Sequence, residues 1–239
     1  MARKIKKNSS SFRGSSNLRL TYSSLDSVCA KSGNTRPQVV MDWIELMFWG
    51  LQGNEGQYLR VMAGYDNTRH PTGERPCDYF SFAVGTFMAH MTETNKESLG
   101  DIFMEFCGYD GFGQFFTPSH LSNLLADLTI SAQDNVPIRI SDPSCGAGGM
   151  LVAAMKNLTL KQASNAIFVG QDLDHRCCYM TALNLTFFNM NGLVVHGDSL
   201  KVEVRNAWET VRSSCGGILR PYSKEKAQAV IEGVLRYEK

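Results

Sequence analysis

The chain has 239 residues, of which 43% are hydrophobic and 20% charged, with a formal net charge of +1. That much apolar material supports a real core and excludes a disordered chain, and no uninterrupted apolar stretch reaches the roughly 20 residues that a membrane-spanning helix needs. The seven cysteines, at positions 29, 77, 107, 145, 177, 178 and 215, include no Cys-x-x-Cys pair and are odd in number, which argues for reduced, mostly buried thiols in a cytoplasmic protein.

Residues 1–36 are rich in Ser, Asn, Gly, Lys and Arg and read as a flexible basic tail with a short ordered piece around 18–25. Arg3, Lys4, Lys6, Lys7, Arg13 and Arg19 lie within residues 1–25, which hold no acid, and residues 201–239 carry a net +3, leaving −8 for residues 26–200. Basic ends on an acidic middle fit contact with nucleic-acid phosphates, and they fit solvated termini equally. Val40, Ile44, Met47, Phe48 and Leu51 recur at three- and four-residue spacing, an amphipathic helix that Trp43 and Trp49 broaden. Residues 79–91 and 98–106 predict two more helices, the second capped by Ser98, so 37–110 reads as a helical N-terminal region. Between the first helix and that over 79–91, residues 53–77 carry Arg60, Arg69, His70 and Arg75 among Gly, Asn and Pro, as a surface connection or a DNA-facing loop. His70 and Cys77 are too few ligands at one odd spacing for a metal.

Thr117-Pro118 reads as a cap followed by proline at the first helical position, with a helix over 118–128 and Phe115 and Phe116 packing on it or on a ligand. Residues 137–141 are β-prone and residues 150–158 are rich in helix formers. Between them lies Asp142-Pro143-Ser144-Cys145-Gly146-Ala147-Gly148-Gly149, so the run is a strand, a glycine turn and a helix. Glycines there let backbone approach a ligand, and Asp142 sets a carboxylate at the strand end, where it repels pyrophosphate and welcomes an ammonium. An ordinary strand-to-helix loop is the plain alternative. Residues 165–169 predict a second strand, with Asp172 just beyond it as a ribose ligand or a helix cap, and Asp174 the better cap. A helix over 175–191 follows, with Tyr179, Leu183 and Phe187 on one face and one of Cys177 and Cys178 buried. Residues 193–196 form a third strand, with Asp198 after it.

Taken in order, Gly113-Gln114-Phe115-Phe116-Thr117-Pro118, Asp142-Pro143-Ser144-Cys145-Gly146, Gly170-Gln171-Asp172-Leu173-Asp174 and His196-Gly197-Asp198-Ser199-Leu200 resemble the N-6 adenine DNA methylase family. The likeness is to the modification subunits of type I restriction systems and their small plasmid- or phage-borne relatives, over roughly residues 100 to 200. It implies that residues 113–118 and 142–149 line an S-adenosylmethionine pocket, which makes Phe116, Thr117, Asp142, Ser144, Gly146 and Gly148 cofactor-binding. It also implies that Asp172 holds the ribose and that Asp198 faces the adenine edge or shapes its own turn. The fold implied is α/β: a Rossmann-like S-adenosylmethionine-dependent methyltransferase domain over 111–239, shortened at its C-terminus, behind the helical region.

Methylases of this family carry Asn/Asp/Ser-Pro-Pro-Tyr/Phe after the fourth strand, where polar acceptors take up the hydrogens of a weakly nucleophilic adenine amine and the aromatic ring stacks on the extruded base. At the expected place stands Leu219-Arg220-Pro221-Tyr222, in which only Pro221 and Tyr222 fit, as catalytic residues or as a strand-to-helix turn. A helix over 223–237 then leaves no room for the later strands. The expected activity is DNA adenine-N6 methylation on DNA, single-stranded if few side chains read a site, in a mobile-element setting that protects DNA from restriction. The competing expectation is a catalytically inactive binding protein acting as an antirestriction or regulatory partner, and a protein partner could complete the short sheet.

Overall fold

The structure, a computed structural model, describes residues 15–108, 116–130 and 138–236. Helices α1 (Ser16–Ser32), α2 (Arg36–Leu51), α3 (Glu55–Met62), α4 (Pro76–Thr94) and α5 (Leu99–Cys107) build the first part. Ser15 caps α1 by accepting from the Leu18 N–H, and Thr35 caps α2 by accepting from Gln38. Residues 16–32, expected within a tail, form a full helix instead. Composition there is polar on average, but Leu18, Tyr22, Leu25, Val28 and Cys29 fall on one stripe at helical spacing, and Leu25 and Val28 are wholly buried. α1 packs along α4, where Thr21 and Thr86 hydroxyls meet at 2.9 Å in the buried seam. Residues 53–77, expected as loop, contain α3 and its turns.

Beyond α5 come α6 (Ser119–Thr129), β1 (Arg139–Asp142), α7 (Gly149–Lys156), α8 (Leu160–Asn165), β2 (Ile167–Asp172), α9 (His175–Phe187) and β3 (Gly192–His196). β4 (Asn206–Val211), β5 (Ile218–Pro221) and α10 (Lys224–Arg236) complete the described chain. The five strands lie in sequence order: β1, β2 and β3 are parallel, β4 runs antiparallel to β3, and β5 antiparallel to β4. Parallel strands joined by helical crossovers give the expected α/β, Rossmann-like arrangement. The turn from β3 to β4 explains where it departs from a fully parallel sheet. Nine residues, 197–205, separate them, fewer than the roughly 10–12 that a helical crossover requires, so β4 can only fold back beside β3.

Side chains alternate between the two sheet faces. Phe168, Val194, Trp208 and Leu219 join the core shared with the helical region, whereas Val169, Leu193, Val195 and Ala207 pack under Ala227 and Ile231 of α10. Helices α2 and α9 weld the two parts together: Phe48 stacks on Tyr179 at 4.0 Å between ring centroids and meets Trp208 edge-on at 5.3 Å. α9 lies between the sheet and α2, so Cys177 and Cys178 are both buried rather than one of them. None of the seven cysteines, all among the described residues, forms a disulfide. Among the described residues no helix is long and apolar enough to cross a membrane.

Because the Leu25 side chain is fully enclosed, Leu25→Ala should cost roughly 2–5 kcal/mol of unfolding free energy in a urea titration. A loss below about 0.5 kcal/mol, the range of surface changes, would show that α1 is not integral to the core.

Candidate ligand site at the glycine turn

Immediately after β1 the chain turns through Gly146 (φ 54°) and Gly148 (φ 83°), both in the left-handed region that glycine tolerates without steric cost. A Cβ on Gly146 would lie 2.9 Å from the Phe116 ring, so residue 146 has no room for a side chain. Phe116 in turn packs against Phe103 of α5 at 5.8 Å; it is at once a packing residue and a wall of the cavity over the turn. Gly113, Gln114 and Phe115 lie outside the described residues.

The turn is held from three directions. Asp172, at the end of β2, accepts from the Gly146 N–H through Oδ2 (2.9 Å) and from the Asp174 N–H through Oδ1 (2.9 Å). Thr181 of α9 donates to the Gly146 carbonyl at 2.9 Å, and Asn184, one turn further, donates to the Ala147 carbonyl at 2.7 Å. The Cys145 N–H donates to the Gln171 carbonyl. Asp174, not Asp172, caps α9, accepting from the Arg176 N–H at 2.9 Å.

One cavity gathers Phe116, Thr117, Asp142, Ser144, Gly146 and Gly149, five of them anticipated from sequence except Gly149, and adds Glu97. It continues past Glu97, Thr117 and Gly149 into a second cavity of about 160 Å³ bordered by Ser122 and Lys156. Thr117 lies free of the helix end: α6 begins at Ser119 with Pro118 in the cap position and no side-chain cap bond, one residue later than expected. Gly148 caps α7 beneath this cavity, its Cα side facing Thr181. Asp198 follows β3, tied to Asp172 by the Gly197 N–H donating to the Asp172 carbonyl. Its Oδ1 accepts from the Leu200 and Lys201 N–H groups at 3.0 and 3.2 Å, so this carboxylate does shape its own turn.

Pro221 and Tyr222 are not brought to this place. Pro221 ends β5, the edge opposite β1, and three strands between them put the two edges about 19 Å apart at normal strand spacing. Tyr222 donates its N–H to the Ala207 carbonyl and packs on the second sheet face beside α10. Leu219 is buried and Arg220 pairs with Glu209 at 2.7 Å. The cause is the hairpin: a strand that folds back beside β3 carries its successor away from β1.

The electrostatics are acidic. Burial, opposed by the Ser144 N–H and reinforced by Asp172, raises the Asp142 carboxyl above its usual range. Burial also pushes Glu97 up to about 7, although it accepts from the Gly100 N–H (2.8 Å) and from Asn184 (3.0 Å). Such a cavity disfavours phosphate and suits a cation. Glu97, Thr181, Asn184 and Ser122 were not singled out by sequence reasoning. For α9 a signal existed, since Thr181 and Asn184 are polar residues three apart on a helix otherwise buried in apolar contacts, and buried polar groups need partners.

A glycine turn at the carboxyl ends of parallel strands, with acids on the first two strand ends, is the arrangement in which α/β domains commonly hold nucleoside-bearing cofactors. Residues 95–230, more than half the chain, match the N-6 DNA Methylase family model, and the protein belongs to that family. It is 29% identical over 122 residues to the type I restriction enzyme MpnII methylase subunit of Mycoplasma pneumoniae, covering 50% of this chain and 22% of that protein. It is 34% identical over 98 residues to the type II restriction enzyme and methyltransferase RM.BcgI of Heyndrickxia coagulans, covering 38% and 15%. The chain thus spans about a fifth or less of the length of these relatives. Among solved structures, a type I restriction-modification methyltransferase subunit from Streptococcus thermophilus aligns with a TM-score of 0.44 and 13% identity, over 77% of this chain and 58% of that one.

Glu97 gives a pH signature in the ligand-free protein. Its folded pKa of about 7 stands above the ordinary 4.5, so the folded state holds the proton more tightly, and the stability it contributes is lost as pH rises from about 4.5 through about 7. Glu97→Gln, which mimics the protonated form, should therefore gain on the wild type by an amount on the order of 2–3 kcal/mol between pH 5 and pH 8 in urea titrations. A gap independent of pH would mean that Glu97 titrates normally.

Proposed function

We propose that this chain is the cofactor-binding unit of an S-adenosylmethionine-dependent DNA adenine-N6 methyltransferase of the restriction-modification type, cytoplasmic, and of mobile-element origin, where it protects DNA from restriction. The observation that carries the reading is the clasped glycine turn, with Phe116, Thr117, Asp142 and Ser144 around one cavity. The residues fit such a cofactor. Gly146 leaves bare backbone along the cavity while Thr181 fills the room beside Gly148 beneath it, and two enclosed acceptors, Ser122 Oγ and Asn184 Oδ1, have no partner among the described residues.

S-adenosylmethionine, when bound, supplies an electrophilic methyl group on a sulfonium centre. The chain's own residues orient it. Asp142 and Thr117 would hold the amino-acid end, with the Gly146 and Ala147 backbone beside it. Asp172 receives the ribose hydroxyls: each of its oxygens already accepts one N–H, and a carboxylate has about four acceptor positions, so two remain. Asp198, one step beyond Asp172 in space, receives the adenine edge with its second oxygen, which now pairs with Lys201 at 3.4 Å. DNA is the methyl acceptor, and Arg3, Lys4, Lys6, Lys7 and Arg13 of the N-terminal segment supply phosphate contacts.

The position of Tyr222 favours a second reading, in which the domain holds cofactor or DNA and acts through a protein partner as an antirestriction or regulatory subunit. β1 is paired on one side only among the described residues, and a partner strand there would complete the sheet.

Titration calorimetry with S-adenosylhomocysteine should show binding by the wild type and none by Gly146→Asp, whose side chain meets Phe116 and adds charge beside Asp172. Undetectable wild-type binding at millimolar ligand, in folded protein, would defeat the cofactor assignment. Nucleoside mass measurement after incubation with labelled S-adenosylmethionine and single- or double-stranded DNA then separates the readings: methyladenine supports the enzyme, its absence with intact cofactor binding supports the partner role. Removing residues 1–14 should weaken DNA binding and make the slope of log K against log salt shallower by up to about 4, since each neutralised phosphate contributes about 0.7–0.9. An unchanged slope would assign those cations to solvent.

A further inference from the structure

Glu97 stands just before α5, and capping explains only half of its carboxylate. Oε1 accepts from the Gly100 N–H and from Asn184, which secures the first turn of the helix. Ser98, the residue in the cap position, has its hydroxyl committed to His90 Nε2 at 3.1 Å. A neutral glutamine would cap equally well through its amide oxygen, so the helix end does not call for a charge. Oε2 points the other way, 3.6 Å from where a Cβ on Gly100 would stand and 3.9 Å from one on Gly149, into the open space of the two joined cavities.

Among the described residues no ion pair neutralises this carboxylate, although Lys156 feels its charge from a distance. Lys156, the nearest candidate, donates its ammonium to the Asn95 carbonyl and lies 5.0 Å over the Phe188 ring. Across the cavity, Ser122 Oγ is enclosed and without a partner among the described residues, 3.9 Å from the same point above Gly149 that Oε2 faces. An unpaired acid and an orphaned hydroxyl converging over a glycine make a site that lacks a cationic donor.

We propose that Glu97 is a binding residue for the α-ammonium group at the amino-acid end of the cofactor, with Ser122 and Asp142 as the other acceptors. The inference rests on the cofactor reading above and deepens it, moving the anchor for the ammonium from the strand end to the helical region. It adds a selectivity: the cavity recognises the zwitterionic tail, and adenosine derivatives without it lose this contact. Binding also carries a proton signature. The groups facing Glu97 are Asp101 on α5, which raises its affinity for a proton, Lys96 beside it, Lys156 on α7, His120 on α6 and Asp142 at the end of β1. Below about pH 7 the empty site holds a proton on Glu97, and an ammonium ligand displaces it.

Calorimetry with S-adenosylhomocysteine and with 5′-methylthioadenosine, which lacks the amino-acid tail, tests this in the full chain. Glu97→Gln should weaken S-adenosylhomocysteine roughly 10- to 100-fold, as expected for loss of a charged hydrogen bond, and leave methylthioadenosine unchanged. Run at pH 6 in buffers of different ionisation enthalpy, the wild type should release close to one proton with S-adenosylhomocysteine and none with methylthioadenosine, a readout that needs no variant to fold. Equal affinity of Glu97→Gln and wild type for S-adenosylhomocysteine, or binding with no proton released, overturns the role of Glu97 while leaving the cofactor reading intact. Failure of the wild type to bind either compound overturns the cofactor reading, and the Glu97 assignment with it.

Discussion

The contact on which the site depends is the carboxylate of Asp172 closing on the Gly146 N–H. A chain that turns left-handed twice within three residues has no regular hydrogen-bond ladder to satisfy its backbone, so its polar groups must be met from elsewhere. Asp172 meets the amide, while Thr181 and Asn184 meet the carbonyls from α9. β1, β2 and α9 are thereby locked to one another beneath the cavity over the turn. The acids of the site have distinct duties as a result: Asp172 shapes the turn, Asp142 and Glu97 face the cavity, and Asp198 shapes the next loop.

The parts of the fold that follow from local patterning were legible in the sequence. The α2 stripe, the strands at β1, β2 and β3, the α9 face and the glycine turn all appear where apolar spacing and glycine placement put them. What local patterning does not encode is which distant residues meet. α1 was hidden because a narrow apolar stripe sits in a Ser- and Lys-rich segment, and its reality depends on α4 lying beside it. Glu97 looked like an ordinary residue before a helix; its exposure to the cavity comes from α6 and α7 closing over it. The burial of both Cys177 and Cys178 likewise requires knowing that α9 has neighbours on two sides.

The hairpin was legible in principle and decides most about chemistry. Nine residues between β3 and β4 cannot carry a crossover helix, so the strand after Asp198 returns antiparallel and the Pro221-Tyr222 pair travels to the far edge. Read along the chain, that pair stands either as catalytic residues or as a strand-to-helix turn, and in the structure Pro221 ends β5 just before α10. Counting the loop against the geometry of a parallel crossover would have placed the pair away from the glycine turn. In α/β sheets the length of one connection can outrank the residues that follow it.

His90 binds the two ends of the helical region in a single ring. Its Nδ1 meets the Ser15 hydroxyl at 2.6 Å, where α1 starts, and its Nε2 meets Ser98, the neighbour of Glu97. One ring nitrogen carries the proton while the ring is neutral, so one contact is donated and the other accepted, and the two hydroxyls take complementary roles. The point from which the basic N-terminal segment departs is therefore fastened, through one imidazole, to the residue beside the cavity wall. The start of α1 and the cap position of α5 thus share one buried imidazole.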